Sequence, residues 1–119
     1  MVNVDSTAQT LSDKYATLGN WIGLATANQQ GSSEPYLEVP AGAAEYGRIQ
    51  TTWNSIGGGV NNGKPVTLSA PAGEYTFVIL CSAQTDSNQP GDTVIDYCKI
   101  DATLNNDGQV VVTPQFTET

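Results

Sequence analysis

The chain has 119 residues, of which 39% are hydrophobic and 13% charged, a balance that excludes an intrinsically disordered polymer and fits one domain able to bury its own core. Against 12 acidic residues stand only 4 basic ones, Lys14, Arg48, Lys64 and Lys99, for a net charge of -8. They are too few and too scattered to build a nucleic-acid or anionic-membrane surface, and the acidity reads as a solubility device. No apolar run approaches the roughly 20 residues of a membrane span. The first ten residues also lack the basic and apolar regions of a secretory signal, so the expectation is a product made in a cytoplasm and not secreted by that route.

Residues 1–10 show no periodicity beyond Val2 and Val4. They read as a polar arm, frayed or ordered on a neighbour. Residues 11–119 read as a single β-domain. Ser12-Asp13-Lys14-Tyr15-Ala16-Thr17-Leu18-Gly19 predicts a short helix with Ser12 as its cap, Asp13 in its first turn and Gly19 as its stop. Leu11, Tyr15 and Leu18 then share one face, a lid for the core. Residues 20–27 follow as a strand with Ile22 and Leu24 on one face and Trp21, Gly23 and Ala25 on the other. The small side chains invite close approach by the preceding helix or by another subunit.

Residues 28–35 are a loop by composition, and residues 36–39 a short strand stopped by Pro40-Ala41-Gly42. Residues 46–54 alternate most clearly, with Ile49, Thr51 and Trp53 inward and Arg48, Gln50 and Thr52 outward, which predicts one half-buried strand. Gly57-Gly58-Gly59 and Asn62-Gly63 mark a flexible connection over residues 55–63. Residues 65–69 alternate Val66 and Leu68 inward. The run Glu74-Tyr75-Thr76-Phe77-Val78-Ile79-Leu80-Cys81-Ser82-Ala83 is apolar at every position in its middle, as in a central strand covered on both faces. Its partner is residues 93–100, beyond a loop over residues 84–92. A turn at Asn105-Asn106-Asp107-Gly108 leads to a last strand over residues 109–116, with Pro114 at an edge or near its end. The fold class predicted is all-β, an antiparallel sandwich or barrel of about seven strands with one short N-terminal helix.

Cys81 and Cys98 are the only cysteines. In the expected hairpin Cys81 falls opposite Val94 and Cys98 opposite Phe77, which separates the sulfurs along the ladder and favours two buried free thiols; a hairpin closed elsewhere would permit a disulfide.

Candidate chemistry is sparse. With no histidine, the commonest general base and most zinc sites are absent. Gly57-Gly58-Gly59 lacks the Lys-Ser/Thr of a phosphate loop. Asp86-Ser87-Asn88-Gln89-Pro90-Gly91-Asp92 imitates the start of a calcium loop but carries Pro90 at its fifth place and Tyr97 where the twelfth needs glutamate, so a hairpin loop is the better reading. Asp96 and Asp101 are read as cross-strand partners for Lys99 or Arg48. No catalytic, cofactor or metal residue is assigned. Trp21, Tyr46 and Trp53 would supply the aromatics of a sugar-binding platform, with Trp21 as the candidate exposed indole.

Four runs carry a resemblance: Lys14-Tyr15-Ala16-Thr17-Leu18-Gly19-Asn20-Trp21-Ile22-Gly23-Leu24-Ala25-Thr26-Ala27, Tyr46-Gly47-Arg48-Ile49-Gln50-Thr51-Thr52-Trp53, Ala70-Pro71-Ala72-Gly73-Glu74-Tyr75-Thr76-Phe77, and Gly108-Gln109-Val110-Val111-Val112-Thr113-Pro114-Gln115-Phe116. Together they resemble a family of small virion proteins of tailed phages, especially of actinobacterial phages, variously described as head decoration, minor tail or tail-fibre proteins. In one place the pattern departs: where the family has a short Gly-Gly linker before an aromatic-Ala-Arg triplet, this chain has Pro40-Ala41-Gly42-Ala43-Ala44-Glu45 and then Tyr46-Gly47-Arg48. The resemblance implies a non-enzymatic structural protein of a virion, assembled in the host cytoplasm. Its expected place is the capsid, as a decoration protein in symmetric copies, trimers favoured, bound to the major capsid protein or other virion proteins. The alternatives are a minor tail or tail-fibre component and, from another class, a carbohydrate-binding module for host attachment. Candidate interface residues are Val2, Val4, Leu11, Tyr15, Trp21, Gly23, Ala25 and Arg48.

Overall fold

The computed structural model describes residues 4–27 and 35–117. Among the described residues one α-helix, α1 (Asp5–Ala16), precedes the strands β1 (Trp21–Ala27), β2 (Tyr36–Glu38), β3 (Ile49–Gln50), β4 (Trp53–Gly57), β5 (Val60–Gly63), β6 (Val66–Ala70), β7 (Gly73–Cys81), β8 (Val94–Leu104), β9 (Gly108–Val112) and β10 (Gln115–Thr117), with a short 3-10 turn at Ala43–Glu45 between β2 and β3. Every pairing is antiparallel, and the expected all-β class with a single N-terminal helix is what the chain adopts. The main sheet runs β2-β1-β7-β8, with β3 also on β1; β10-β5-β4 and β6-β9 form two smaller sheets.

The uniformly apolar middle of β7 is explained by its place between β1 and β8, with packing on both faces. On one face Val78 and Leu80 join Ile22, Leu24, Val66 and Leu68 in the main core. On the other, Phe77, Ile79 and Cys81 pack with Ala25, Trp21, Tyr36 and Val94. Cys81 pairs with Val94 as the sequence predicts, while Cys98 falls opposite Val78 rather than Phe77. Both cysteines are free; Cys81 is buried, but Cys98 is exposed, contrary to the expectation of two buried thiols.

Four elements differ from the sequence reading. The helix begins seven residues before Ser12, at Asp5, with the extended residue Val4 as its N-cap. Residues 5–10, expected in the arm, are therefore its first half. The face turned inward is Ala8, Ser12 and Tyr15, with Ala8 and Ser12 buried, whereas Leu11 and Leu18 are exposed. Ser12 is no cap; its hydroxyl accepts a hydrogen bond from the Asn61 side-chain amide at 2.7 Å. Gly19 follows the helix end instead of terminating it, and it lies where the chain passes so near the Cys81 carbonyl that a Cβ would sit 2.3 Å from its oxygen.

The alternating run over residues 46–54 is two strands. β3 pairs with β1, the chain changes sheet at Thr51 and Thr52, and β4 then pairs with β5. Thr51 is buried at the corner, its hydroxyl donating to the Lys64 carbonyl at 2.7 Å. The connection expected over residues 55–63 is the β4-β5 hairpin, closed by Gly57, Gly58 and Gly59 at φ of 94°, 65° and 85°, a left-handed run that suits glycine. The last strand is likewise divided, into β9 and β10, at Thr113 and Pro114.

Candidate functional site

Two features concentrate the polar and apolar peculiarities of the molecule. The first is a buried ion cluster built on Arg48, which is only 5% exposed. Each of its five N–H groups has an acceptor. Nε donates to Glu38 Oε2 at 2.9 Å and one terminal nitrogen to Glu38 Oε1 at 2.7 Å and Asp86 Oδ1 at 2.9 Å. The other terminal nitrogen donates to the Ala83 carbonyl at 3.1 Å and the Thr93 hydroxyl at 2.7 Å. One side chain thus joins β2, the end of β7, the loop over residues 84–92 and the start of β8. The planar fork of guanidinium is what allows this; an ammonium has no comparable geometry. Burial works against the Arg48 charge, but the Glu38 and Asp86 carboxylates outweigh it and hold the group protonated.

Tyr46 completes the cluster. Just beyond β2 the Val39 N–H donates to the Leu24 carbonyl at 3.1 Å, but the Leu24 N–H turns to a side chain. It donates to the Tyr46 hydroxyl at 3.0 Å, which in turn donates to Glu38 Oε2 at 2.7 Å. A phenol therefore stands in for one backbone acceptor in the ladder, and burial together with the Glu38 bond raises its pKa. Partial burial alone would raise the Asp86 pKa, but the Thr93 hydroxyl, the Gly91 N–H and Arg48 bring it down to about 2. Burial pushes the Cys81 thiol up to about 12, with Arg48 nearby only partly opposing. A cavity of about 650 Å³ borders the cluster between β2 and residues 84–91.

The second feature is a cleft of about 470 Å³ between β8 and the β9-β10 segment. β8 stays with the main sheet while β9 leaves with β6, so the two layers part beyond the turn that joins them. Ile22, Trp53, Val78 and Leu80 form its floor, Cys98 and Ile100 one wall, Val110 and Val112 the other. Tyr15 closes one end, its hydroxyl donating to Asp96 Oδ2 and its ring edge-on to Phe116 at 4.8 Å between centroids. Phe116 also meets Trp53 at 4.7 Å, and the Trp53 indole N–H donates to the Gly19 carbonyl at 2.8 Å.

No family model, no curated protein and no solved structure matches this chain.

The candidate interface residues are dispersed. Gly23 and Ala25 are buried beneath this chain's own side chains: a Cβ on Gly23 would lie 2.6 Å from the Tyr46 hydroxyl and 3.0 Å from a Glu38 carboxylate oxygen. They offer no surface to a subunit. Arg48 is equally enclosed, and Trp21 is half-buried against the second core cluster. Tyr15 is half-buried at the cleft. Three apolar side chains around α1 are exposed: Val4 at its N-cap (67%), Leu11 within it (45%) and Leu18 just past its C-terminal end (49%). Val2 lies outside the described residues, as does most of the loop read over residues 28–35.

The acidic pairings also differ from expectation. Asp96 and Asp101 pair with neither Lys99 nor Arg48 among the described residues; Asp96 takes the Tyr15 hydroxyl and the Tyr97 N–H instead. Asp86 divides between Arg48 and the Thr93 hydroxyl on Oδ1 and the Gly91 N–H on Oδ2, and Asp92 accepts from the N–H groups of Ser87 and Asn88 at 2.8 and 2.6 Å. Glu38 and Asp86 are the residues that sequence reasoning missed. A lone arginine in an otherwise base-poor β-domain was the available signal that acids would gather round it.

Proposed function

We propose that the protein is a non-enzymatic structural component of a tailed-phage virion, a decoration protein bound to the outer surface of the head lattice in symmetric copies, with trimers favoured. The observation that carries the reading is where the resembling runs fall. Tyr46 and Arg48 lie in the ion cluster, Trp53 anchors the Gly19 carbonyl, Tyr75 donates to the Pro71 carbonyl and Phe116 packs on Trp53. These runs are framework, and the polar groups with displaced pKa values bind one another as fasteners of that frame. A body held together in this way supplies shape and contact.

The exposed apolar side chains of Val4, Leu11 and Leu18, in and at the two ends of α1, are the contact surface that this reading assigns to the neighbour, whether a second copy or the major capsid protein. Labelled antibody against the protein, imaged on intact particles, tests the assignment. Label distributed over the shell is the expected result; label confined to the tail replaces decoration with a tail role, and unlabelled particles overturn the reading.

A further inference from the structure

The cleft between β8 and β9 points to a binding function independent of where the protein resides: we infer that it receives a short extended segment of another polypeptide, apolar at alternate positions and basic at its ends. Among the described residues, β8 pairs only with β7 and β9 only with β6. The cleft therefore lies between two strand edges that pair with no further strand among the described residues, above a floor of Val78, Leu80 and Trp53. An apolar small molecule could cover the floor but would leave the edges unpaired. A guest strand does both, bonding an edge through its backbone and sending every second side chain down.

The edge is shaped for a short guest. The Tyr97 N–H points away from β7 and is held by the Asp96 carboxylate at 2.8 Å; by alternation Lys99 also faces outward. Register shifts interrupt the β7-β8 ladder between Tyr75 and Phe77 and between Leu80 and Cys81. The regular ladder of β8 is thus cut into two short stretches, residues 96–99 and 102–104, because bulges bend an edge and interrupt pairing. Such an edge resists flat association with β8 of a second copy along its whole length yet leaves room for a few residues of guest. Asp96 and Asp101 border the cleft, and the protein carries a net charge of -8. A guest displacing Asp96 from the Tyr97 N–H frees a carboxylate beside its own end, where lysine or arginine is the complementary flank.

Cys98 reports occupancy, since it lines the cleft and is exposed while Cys81 is buried. The probe is the peptide acetyl-Arg-Thr-Val-Thr-Val-Thr-Val-Lys-amide, with a control N-methylated at alternate residues to remove edge hydrogen bonds. The peptide is expected to slow Cys98 modification by Ellman's reagent at least about tenfold at saturation, and the control to leave it unchanged. Cys98→Arg, whose fold is checked by near-ultraviolet circular dichroism, is expected to abolish binding of the fluorescently labelled peptide. No protection at millimolar peptide, equal protection by the control, or unaltered binding to the folded Cys98→Arg variant would overturn the inference. So would protection that rises with protein concentration alone and accompanies a doubled mass in light scattering, which would make the occupant a second copy.

Discussion

Replacing Arg48 with methionine keeps much of the side-chain volume and removes all five hydrogen bonds described above. The loss is larger than the bonds alone suggest. Glu38 and Asp86, whose side chains are only 21% and 23% exposed, would be left with negative charge facing an apolar methyl group. Stranding one side of a buried pair costs about 3–5 kcal/mol, a large fraction of the roughly 5–15 kcal/mol that holds a domain folded. Urea unfolding followed by tryptophan fluorescence should show Arg48→Met destabilised by that amount. Arg48→Lys should lie between it and the parent, because lysine keeps the charge but not the fork. If stranded charge is the cause, adding Glu38→Gln to Arg48→Met should recover part of the loss, since the glutamine oxygen still accepts from Tyr46. An Arg48→Met protein within about 1 kcal/mol of the parent, or a double variant whose losses simply add, would refute the reasoning.

Tyr46→Phe leaves the Leu24 N–H without its acceptor and Glu38 Oε2 with one donor fewer, and should cost about 1–3 kcal/mol in the same unfolding assay. Asp86 has a folded-state pKa of about 2 against an ordinary 3.8, so its stabilisation is complete above pH 3.8 and is lost as the pH falls from there through about 2. The parent should lose about 1–2 kcal/mol across that window after allowance for solvent screening, and an acid titration of Asp86→Asn should be flatter there. Ala44 and Glu45 occupy the left-handed region at φ of 49° and 67°. Relief of about 1–2 kcal/mol of strain, less the added freedom of glycine when unfolded, predicts that Ala44→Gly or Glu45→Gly raises stability by about 0.5–1 kcal/mol; a lowered thermal midpoint for either would contradict this.

Ala44 and Glu45 hold positive φ angles with no glycine at either place, a conformation that the residue types themselves do not announce. Strands with strong local signals were readable. β7 announced its central place through an unbroken apolar run, and its hairpin with β8 was placed to within one residue because only the register shifts near Phe77 and Leu80 intervened. Elements held by distant partners were not readable. β5 is Val60–Gly63, in which Asn61, Asn62 and Gly63 are poor strand formers, and it is secured by Asn61 bonds to Ser12 and Asp13 and by Gln9 on the Gly59 N–H. The start of α1 was hidden because Val4 supplies no side-chain cap and Ser12 imitates one. Arg48 lay on the outward phase of an alternating run, but the strand breaks at Thr51 and acids more than 30 residues apart in sequence, Glu38 and Asp86, converge on it. The cleft could not be read either, since it arises from the parting of β8 and β9 and not from any residue of its own.

The claim that the protein is a capsid component is met most directly by co-sedimenting it with assembled, undecorated phage heads and counting bound copies per head. Saturation at a fixed number of copies set by the lattice, reduced when Val4 and Leu11 are replaced by serine, is the predicted result. Heads that pellet without the protein at every concentration tried would contradict the account.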